Sequence, residues 1–228
     1  MSIPEFAARP QLAEDVARFV RRRIFEGTYP AGQYIRLEQL ADELGISVTP
    51  VREALFGLRA EGLLTQLPRR GFVVLPITRR DIADVADVQA HIGGVLASRA
   101  ADHITDEQLQ TLGAIQDRLE AAYRADDHEA AVRLNHAFHR GINLAAASPK
   151  LAQLMGQITR FALETAYPTV EGWPSHATRD HRLLLTALKN RDGDAARAAM
   201  SDHLRAAATP LIDHLTRRGV VDPGDNIL

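Results

Sequence analysis

The chain has 228 residues, of which 46% are hydrophobic and 25% charged, and its formal net charge is −2 at pH 7. These values fit one large or two small soluble domains. The net charge is slightly negative, so overall charge does not attract the protein to nucleic acid. The absence of cysteine excludes disulfides and thiolate sites, and the lack of an apolar run of roughly 18 residues predicts no membrane span and a cytoplasmic protein.

The first 78 residues predict three short helices followed by a hairpin. Apolar residues recur at helical spacing in three segments, residues 11–26, 37–44 and 51–64. Two apolar, β-prone runs, 63–67 and 72–75, flank a turn and predict two antiparallel strands. These 78 residues carry 10 Lys and Arg against 9 Asp and Glu, so a nucleic-acid contact here requires a local basic patch.

The third helix has a distinctive start. Thr49 is expected to cap it, Pro50 suits a first helical position because it lacks an N–H, and Glu53 then falls in the first turn. The N-terminus of such a helix can donate N–H groups to an anion such as a phosphate.

From Thr78 onward the sequence consists of long stretches rich in alanine and leucine, without the alternating pattern of β-strands. Capping residues and loop signals divide them into six helices, at about 80–102, 105–125, 127–147, 149–167, 175–190 and 193–216. The sequence therefore predicts a mostly α protein with two domains. Residues 1–77 form a winged helix-turn-helix, and residues 78–228 form an all-α antiparallel bundle.

Residues 29–74, YPAGQYIRLEQLADELGISVTPVREALFGLRAEGLLTQLPRRGFVV, resemble the N-terminal domain of the GntR family of bacterial transcription regulators. The resemblance implies that the third helix enters the major groove of double-stranded DNA, with Arg52 as the principal contact to a base or phosphate. It implies a DNA-binding set that comprises Arg36, Ser47, Val48, Thr49, Arg52, Arg59, Arg69, Arg70 and Gly71. The family usually has an arginine where this chain has Val48, which cannot make an arginine's hydrogen bonds but could contact a thymine methyl. We therefore expect an altered operator or weaker anchoring to phosphates.

All nine histidines lie in the predicted helical domain, and none precedes His91. Asn135 and His139 stand four residues apart on one helix face, and His181 and His203 lie on two later helices. This pattern resembles the FCD domain of the FadR-type branch of the family, in its VanR-like six-helix form. The resemblance implies that these four residues hold a divalent metal ion, zinc or nickel. Asn135 replaces the usual aspartate, so we expect an anionic effector to supply the missing charge.

The effector site departs from the family in a second way. Gln89 stands where an arginine often meets a carboxylate, and Gly93 where a glutamate is common. Either the effector is less acidic than those of relatives, or Arg99 or Arg160 takes over this contact.

The two resemblances imply a homodimeric repressor that reads a palindromic operator, and the metal pattern suggests that it responds to a small carboxylate. A metal sensor with the metal as effector, a metal that only ties helices together, and a metal-dependent hydrolase remain as alternatives. The chain has no H-E-x-x-H pattern or Gly-rich phosphate loop, and Glu164 and Asp180 are expected to face solvent. We therefore do not expect an enzyme.

Overall fold

The computed structural model describes residues 10–68, 70–159, 170 and 172–221. The chain divides into two units, one of residues 79–214 and one that combines residues 1–78 with residues 215–228. Residues 215–221, the described part of the C-terminal segment, thus differ from their predicted place in the second domain. Leu215 and Val221 are fully buried, and the Val220 side chain packs near Gly27, so apolar burial holds this segment in the first unit.

The first unit contains three helices and three strands among its described residues. They are α1 (Pro10–Phe25), β1 (Tyr34–Ile35), α2 (Leu37–Leu44), α3 (Val48–Ala60), β2 (Leu64–Leu67) and β3 (Gly71–Val74). The apolar stripes of α1 and α3 are buried against each other. Arg21 binds Glu61 through two hydrogen bonds of 2.7 and 3.0 Å, which joins α1 to the C-terminal end of α3.

The wing is a three-stranded antiparallel sheet with the order β1-β3-β2. Phe72 and Val74 of β3 are buried, as the alternation of a one-sided sheet requires. The prediction of a two-stranded hairpin was therefore incomplete. Ile35 pairs with Phe72, but β1 is only two residues long and too short to leave a periodic signal in the sequence.

The helices after the wing are α4 (Arg79–His103), α5 (Asp106–Arg124), α6 (His128–Ala145), α7 (Pro149–Ile158), α8 (Trp173–Lys189), α9 (Gly193–Ala206) and α10 (Ala208–Arg217). The predicted helix 193–216 is thus divided at Ala207. Pro210 explains the break, because it has no N–H for the Ala206 carbonyl and its ring crowds that residue. Of the predicted helix 149–167, residues 160–167 lie outside the described part of the chain.

The core of the second unit forms where α4 and α9 pack closely. A methyl group added at Gly94 would overlap the hydroxyl of Ser201, and one at Gly93 would overlap the Leu204 side chain. Fully buried Phe138, Ile142 and other apolar side chains of α6 and α8 complete this core. Among the described residues, no helix is both long and apolar enough to cross a bilayer.

Candidate functional site

Helices α2 and α3 form the helix-turn-helix. Gly45 adopts a left-handed backbone with φ of 66°, and its N–H and that of Ile46 donate to α2 carbonyls. Ser47, not Thr49, is the residue that precedes α3, and its side chain makes no capping hydrogen bond. The predicted cap was therefore wrong. Pro50 is the third helical residue, where an N–H would also lack an intrahelical partner.

With α3 starting at Val48, Glu53 lies beyond the first turn, contrary to the prediction. Helix α3 buries one side and exposes the other. Four apolar residues face the core: Val51, Ala54, Leu55 and Leu58. Ser47, Thr49 and Arg52 are exposed, whereas Val48 is half-buried. The exposed side therefore offers two hydroxyls and a guanidinium at one end of the helix.

Three further arginines that were predicted to contact DNA are exposed in the first unit. Arg36 is exposed directly before α2. Arg59 donates to Gln66 Oε1 at 3.1 Å and lies 4.9 Å from the Phe56 ring centre, so it is held against strand β2. Arg70 is exposed in the turn between β2 and β3, and Arg69 lies outside the described residues.

Gly71 has a structural reason to be glycine. Its φ is +97°, and a Cβ there would lie 2.6 Å from the carbonyl oxygen of Ile35. Another residue would therefore strain the backbone and push β1 away from β3.

Three histidines from three helices of the second unit meet. His139 of α6, His181 of α8 and His203 of α9 each present one ring nitrogen, and these nitrogens lie within 4.8 Å of one another. His181 is fully buried and stacks on Phe138, with 4.2 Å between the ring centres. Asn135 lies one turn before His139, and its buried Oδ1 has no hydrogen-bond partner among the described residues.

Two polar residues that the sequence analysis did not select hold these rings. His181 Nδ1 is 2.8 Å from Gln116 Oε1, and His203 Nδ1 is 3.3 Å from Asp180 Oδ2. The expectation that Asp180 faces solvent was wrong, because its side chain is only 12% exposed and also contacts His176 Nε2 at 3.0 Å. The sequence does contain a signal for Gln116: it is a polar residue on the apolar stripe of α5, four residues after Leu112.

Burial governs the charge of the cluster. It lowers the pKa of His139 and His181 well below the ordinary value, and the neighbouring histidines lower it further. Burial alone would raise the pKa of Asp180, but the hydrogen bond from His203 and the charge of His176 outweigh it and lower that pKa. His139 and His181 are therefore held as neutral rings, and Asp180 as an ionised carboxylate.

A cavity of about 660 Å³ opens beside this cluster and is bounded by residues of α4, α6, α7, α8 and α9. Asn135, His139 and His203 are among its lining residues, and so are Arg133 and Arg140. No carboxylate lies among the described lining residues. The cavity thus presents amides, imidazoles and cations.

Of the three residues predicted to contact the effector, only Gln89 is a described lining residue of the cavity. Gln89 is buried and lines the cavity, with its Nε2 3.5 Å from the Ile158 carbonyl oxygen. Arg99 is exposed and donates to Ser148 Oγ at 2.6 Å, and it is not among the described lining residues. Arg160 lies outside the described part of the chain.

Both halves of the chain match known families. Residues 12–74 match the family described as bacterial regulatory proteins, gntR family, and residues 84–206 match the FCD domain. The chain is 24% identical over 195 residues to the HTH-type transcriptional regulator McbR of Escherichia coli (strain K12), covering 84% of this chain and 88% of that one. It is 26% identical over 207 residues to the "Probable D-xylose utilization operon transcriptional repressor" of Paenarthrobacter nicotinovorans, covering 90% and 91%.

A solved structure has the same fold. That of E. coli McbR/YncC gives a TM-score of 0.70 at 23% identity and covers 92% of this chain and 99% of that chain. The predicted fold class, a winged helix-turn-helix followed by a helical domain, is thereby confirmed. The relatives named here are transcription regulators rather than enzymes. This chain belongs to the GntR family of bacterial transcription regulators, in the branch that carries a C-terminal FCD domain.

Proposed function

We propose that this regulator is a homodimeric repressor whose helical domain senses a small organic acid at a divalent metal centre. The observation that carries the proposal is the cluster of His139, His181 and His203. His139 and His203 also line the cavity, whose described lining residues include no aspartate or glutamate. His181 Nε2 and Asn135 Oδ1 are buried without hydrogen-bond partners among the described residues, and such atoms destabilise a fold unless a ligand binds them.

The donor set fits a transition metal. Neutral imidazole nitrogen suits zinc and nickel, and Asn135 would add an amide oxygen from the same face of α6 as His139. Asp180 supplies a negative charge through His203, which partly replaces the charge that an aspartate at position 135 would bring. When bound, the ion supplies positive charge and open positions for an oxygen of the effector.

The charge of the cavity supports an anionic effector. Arg140 has no ion-pair partner within the described part of the chain, while Arg133 is paired with Glu129 at 2.6 Å. We therefore add Arg140 to Gln89 as a contact for a small carboxylate, and Arg99 and Arg160 remain candidates from the sequence alone.

The DNA contacts follow from exposure on α3 and the wing. Arg52 can bind a guanine edge bidentately, Ser47 and Thr49 can bind phosphates, and Val48 can contact a thymine methyl. Arg36, Arg59, Arg70 and Gly71 would contact the DNA backbone, and Arg69 remains a candidate from the sequence alone. A homodimer would place two such surfaces on a palindromic operator.

The first test is a pull-down of genomic DNA fragments at near-physiological salt, followed by sequencing of the retained fragments. The unaltered protein should enrich a few fragments that share one palindrome, and Arg52→Ala should lose this enrichment while keeping its oligomeric state. Arg118→Ala, which removes an exposed arginine of α5, is the matched control. Operator specificity retained by Arg52→Ala would refute the assignment of α3.

The second test concerns the metal and the effector. His181→Ala should lose bound zinc or nickel by elemental analysis, whereas His103→Ala, an exposed histidine of α4, should keep it. Operator affinity that responds to carboxylates only in the metal-loaded protein supports the proposal. Affinity that responds to metal alone would instead identify a metal sensor, and equal metal content in both variants would exclude the site.

A further inference from the structure

Gln116 is a fully buried amide on the apolar side of α5. Its Oε1 lies 2.8 Å from His181 Nδ1, and its Nε2 donates to Glu120 Oε1 at 3.0 Å. Glu120 in turn accepts from Arg182 Nε at 2.7 Å, and Arg182 also donates to Asp117 Oδ1 at 2.7 Å. A chain of hydrogen bonds therefore runs from the surface of α8, through α5, to the buried ring of His181.

Donors and acceptors along this series of hydrogen bonds can be arranged in only one way. A guanidinium only donates and an ionised carboxylate only accepts, so Arg182 leaves Glu120 as an acceptor. These bonds, with Arg182 first among them, lower the pKa of Glu120 and keep it ionised. The Gln116 amide must then turn its NH₂ group to Glu120 and its oxygen to His181. That oxygen requires a proton on His181 Nδ1.

The consequence concerns the other nitrogen of the ring. In a neutral imidazole only one nitrogen carries a proton, so Nδ1–H leaves Nε2 with a bare lone pair. This Nε2 is buried and has no hydrogen-bond partner among the described residues. The opposite tautomer would place the Nδ1 lone pair against the Gln116 oxygen at 2.8 Å, and the two acceptors would repel.

We propose that Gln116, oriented by Glu120 and Arg182, is a positioning residue that fixes His181 in the Nδ1–H tautomer and so presents Nε2 to a cation. The inference rests on the proposed metal centre for its purpose, but the tautomer is a property of the metal-free protein. Free imidazoles sample both tautomers, so this device removes a rearrangement that would otherwise precede binding.

The test uses the full chain with three substitutions. Gln116→Met conserves volume without a strong acceptor, Gln116→Glu restores an acceptor at His181, and Gln110→Met changes an exposed glutamine of the same helix as the control. Nitrogen-15 NMR of the histidine rings in chelator reports which nitrogen of His181 is protonated, and zinc titration against a competing chelator reports affinity.

We expect His181 to be protonated at Nδ1 in the unaltered protein, in Gln110→Met and in Gln116→Glu. Gln116→Met should populate the Nε2–H form and bind zinc about 10–100-fold more weakly, and Gln116→Glu should recover most of that loss. A ring protonated at Nε2 in the unaltered protein, or a Gln116→Met protein with unchanged tautomer, would overturn the inference.

The NMR spectra and the zinc titration test the inference separately from the proposed function. If the unaltered protein binds neither zinc nor nickel, the metal centre fails, and the NMR spectra still decide whether Gln116 sets the tautomer. If zinc binds and Gln116→Met retains an affinity within twofold, the metal centre stands and the positioning role of Gln116 is refuted.

Discussion

Lowering the pH should destabilise the metal-free helical domain well before its carboxylates titrate. The ordinary histidine pKa is 6.5, and burial lowers the pKa of His139 and His181 well below that value in the folded state. Well above pH 6.5 both rings are neutral in both states and contribute nothing. Below it the unfolded chain binds protons that the folded chain does not, so stability falls as the pH falls.

The magnitude follows from the shift. A ring that stays neutral in the folded state costs about 1.4 kcal/mol at one pH unit below its unfolded pKa, since each full unit is worth about 1.36 kcal/mol. Two such rings therefore cost about 2.8 kcal/mol at pH 5.5, as a ceiling. This is a large fraction of a domain stability of about 5–15 kcal/mol.

The assay is urea unfolding in chelator at pH 7.5, 6.5 and 5.5. The single tryptophan, Trp173, is buried in the helical unit and reports its unfolding. Replacing one buried ring in His139→Gln should halve the pH dependence, and replacing the exposed His103 in His103→Gln should leave it unchanged. The reasoning fails if the unaltered protein loses less than about 1 kcal/mol between pH 7.5 and 5.5, or if His139→Gln matches it.

Three further outcomes are expected. Gly94→Ala should lower the thermal midpoint, at a cost of about 1–3 kcal/mol from overpacking between α4 and α9, whereas Gly113→Ala, in open space on α5, should be neutral or stabilising by up to about 1 kcal/mol. Gly71→Ala should weaken operator binding in fluorescence anisotropy without changing the oligomeric state, because its Cβ would meet the Ile35 carbonyl; unaltered binding would contradict this. Zinc at about 100 times its Kd should stabilise the helical domain by about 2.7 kcal/mol and change the emission of Trp173, whose ring centre lies 5.5 Å from that of His203; a metal-independent midpoint would argue against the site.

The DNA-binding half was largely predictable because its signals are local. Apolar spacing and Gly45 defined α2 and α3 within a few residues, and the exposure of Arg52 followed from its place off the apolar stripe. The start of α3 was misplaced by two residues, because Thr49 and Pro50 favour an N-terminus without specifying which turn begins it. Strand β1 escaped detection because its pairing partner lies 37 residues later in the chain, as Ile35 with Phe72 shows.

In the helical half, the sequence by itself determined most of the helices and selected the histidines, since both depend on residue type and on spacing along one helix. Only the tertiary structure decided which polar residues surround them. Gln116 lies 65 residues from His181, and Asp180 reaches His203 across 23 residues. The cavity and its cations were likewise invisible in the sequence. The physical reason is that hydrogen bonds and cavities arise where helices pack, and helix packing is set by the summed burial of side chains that are remote in the chain.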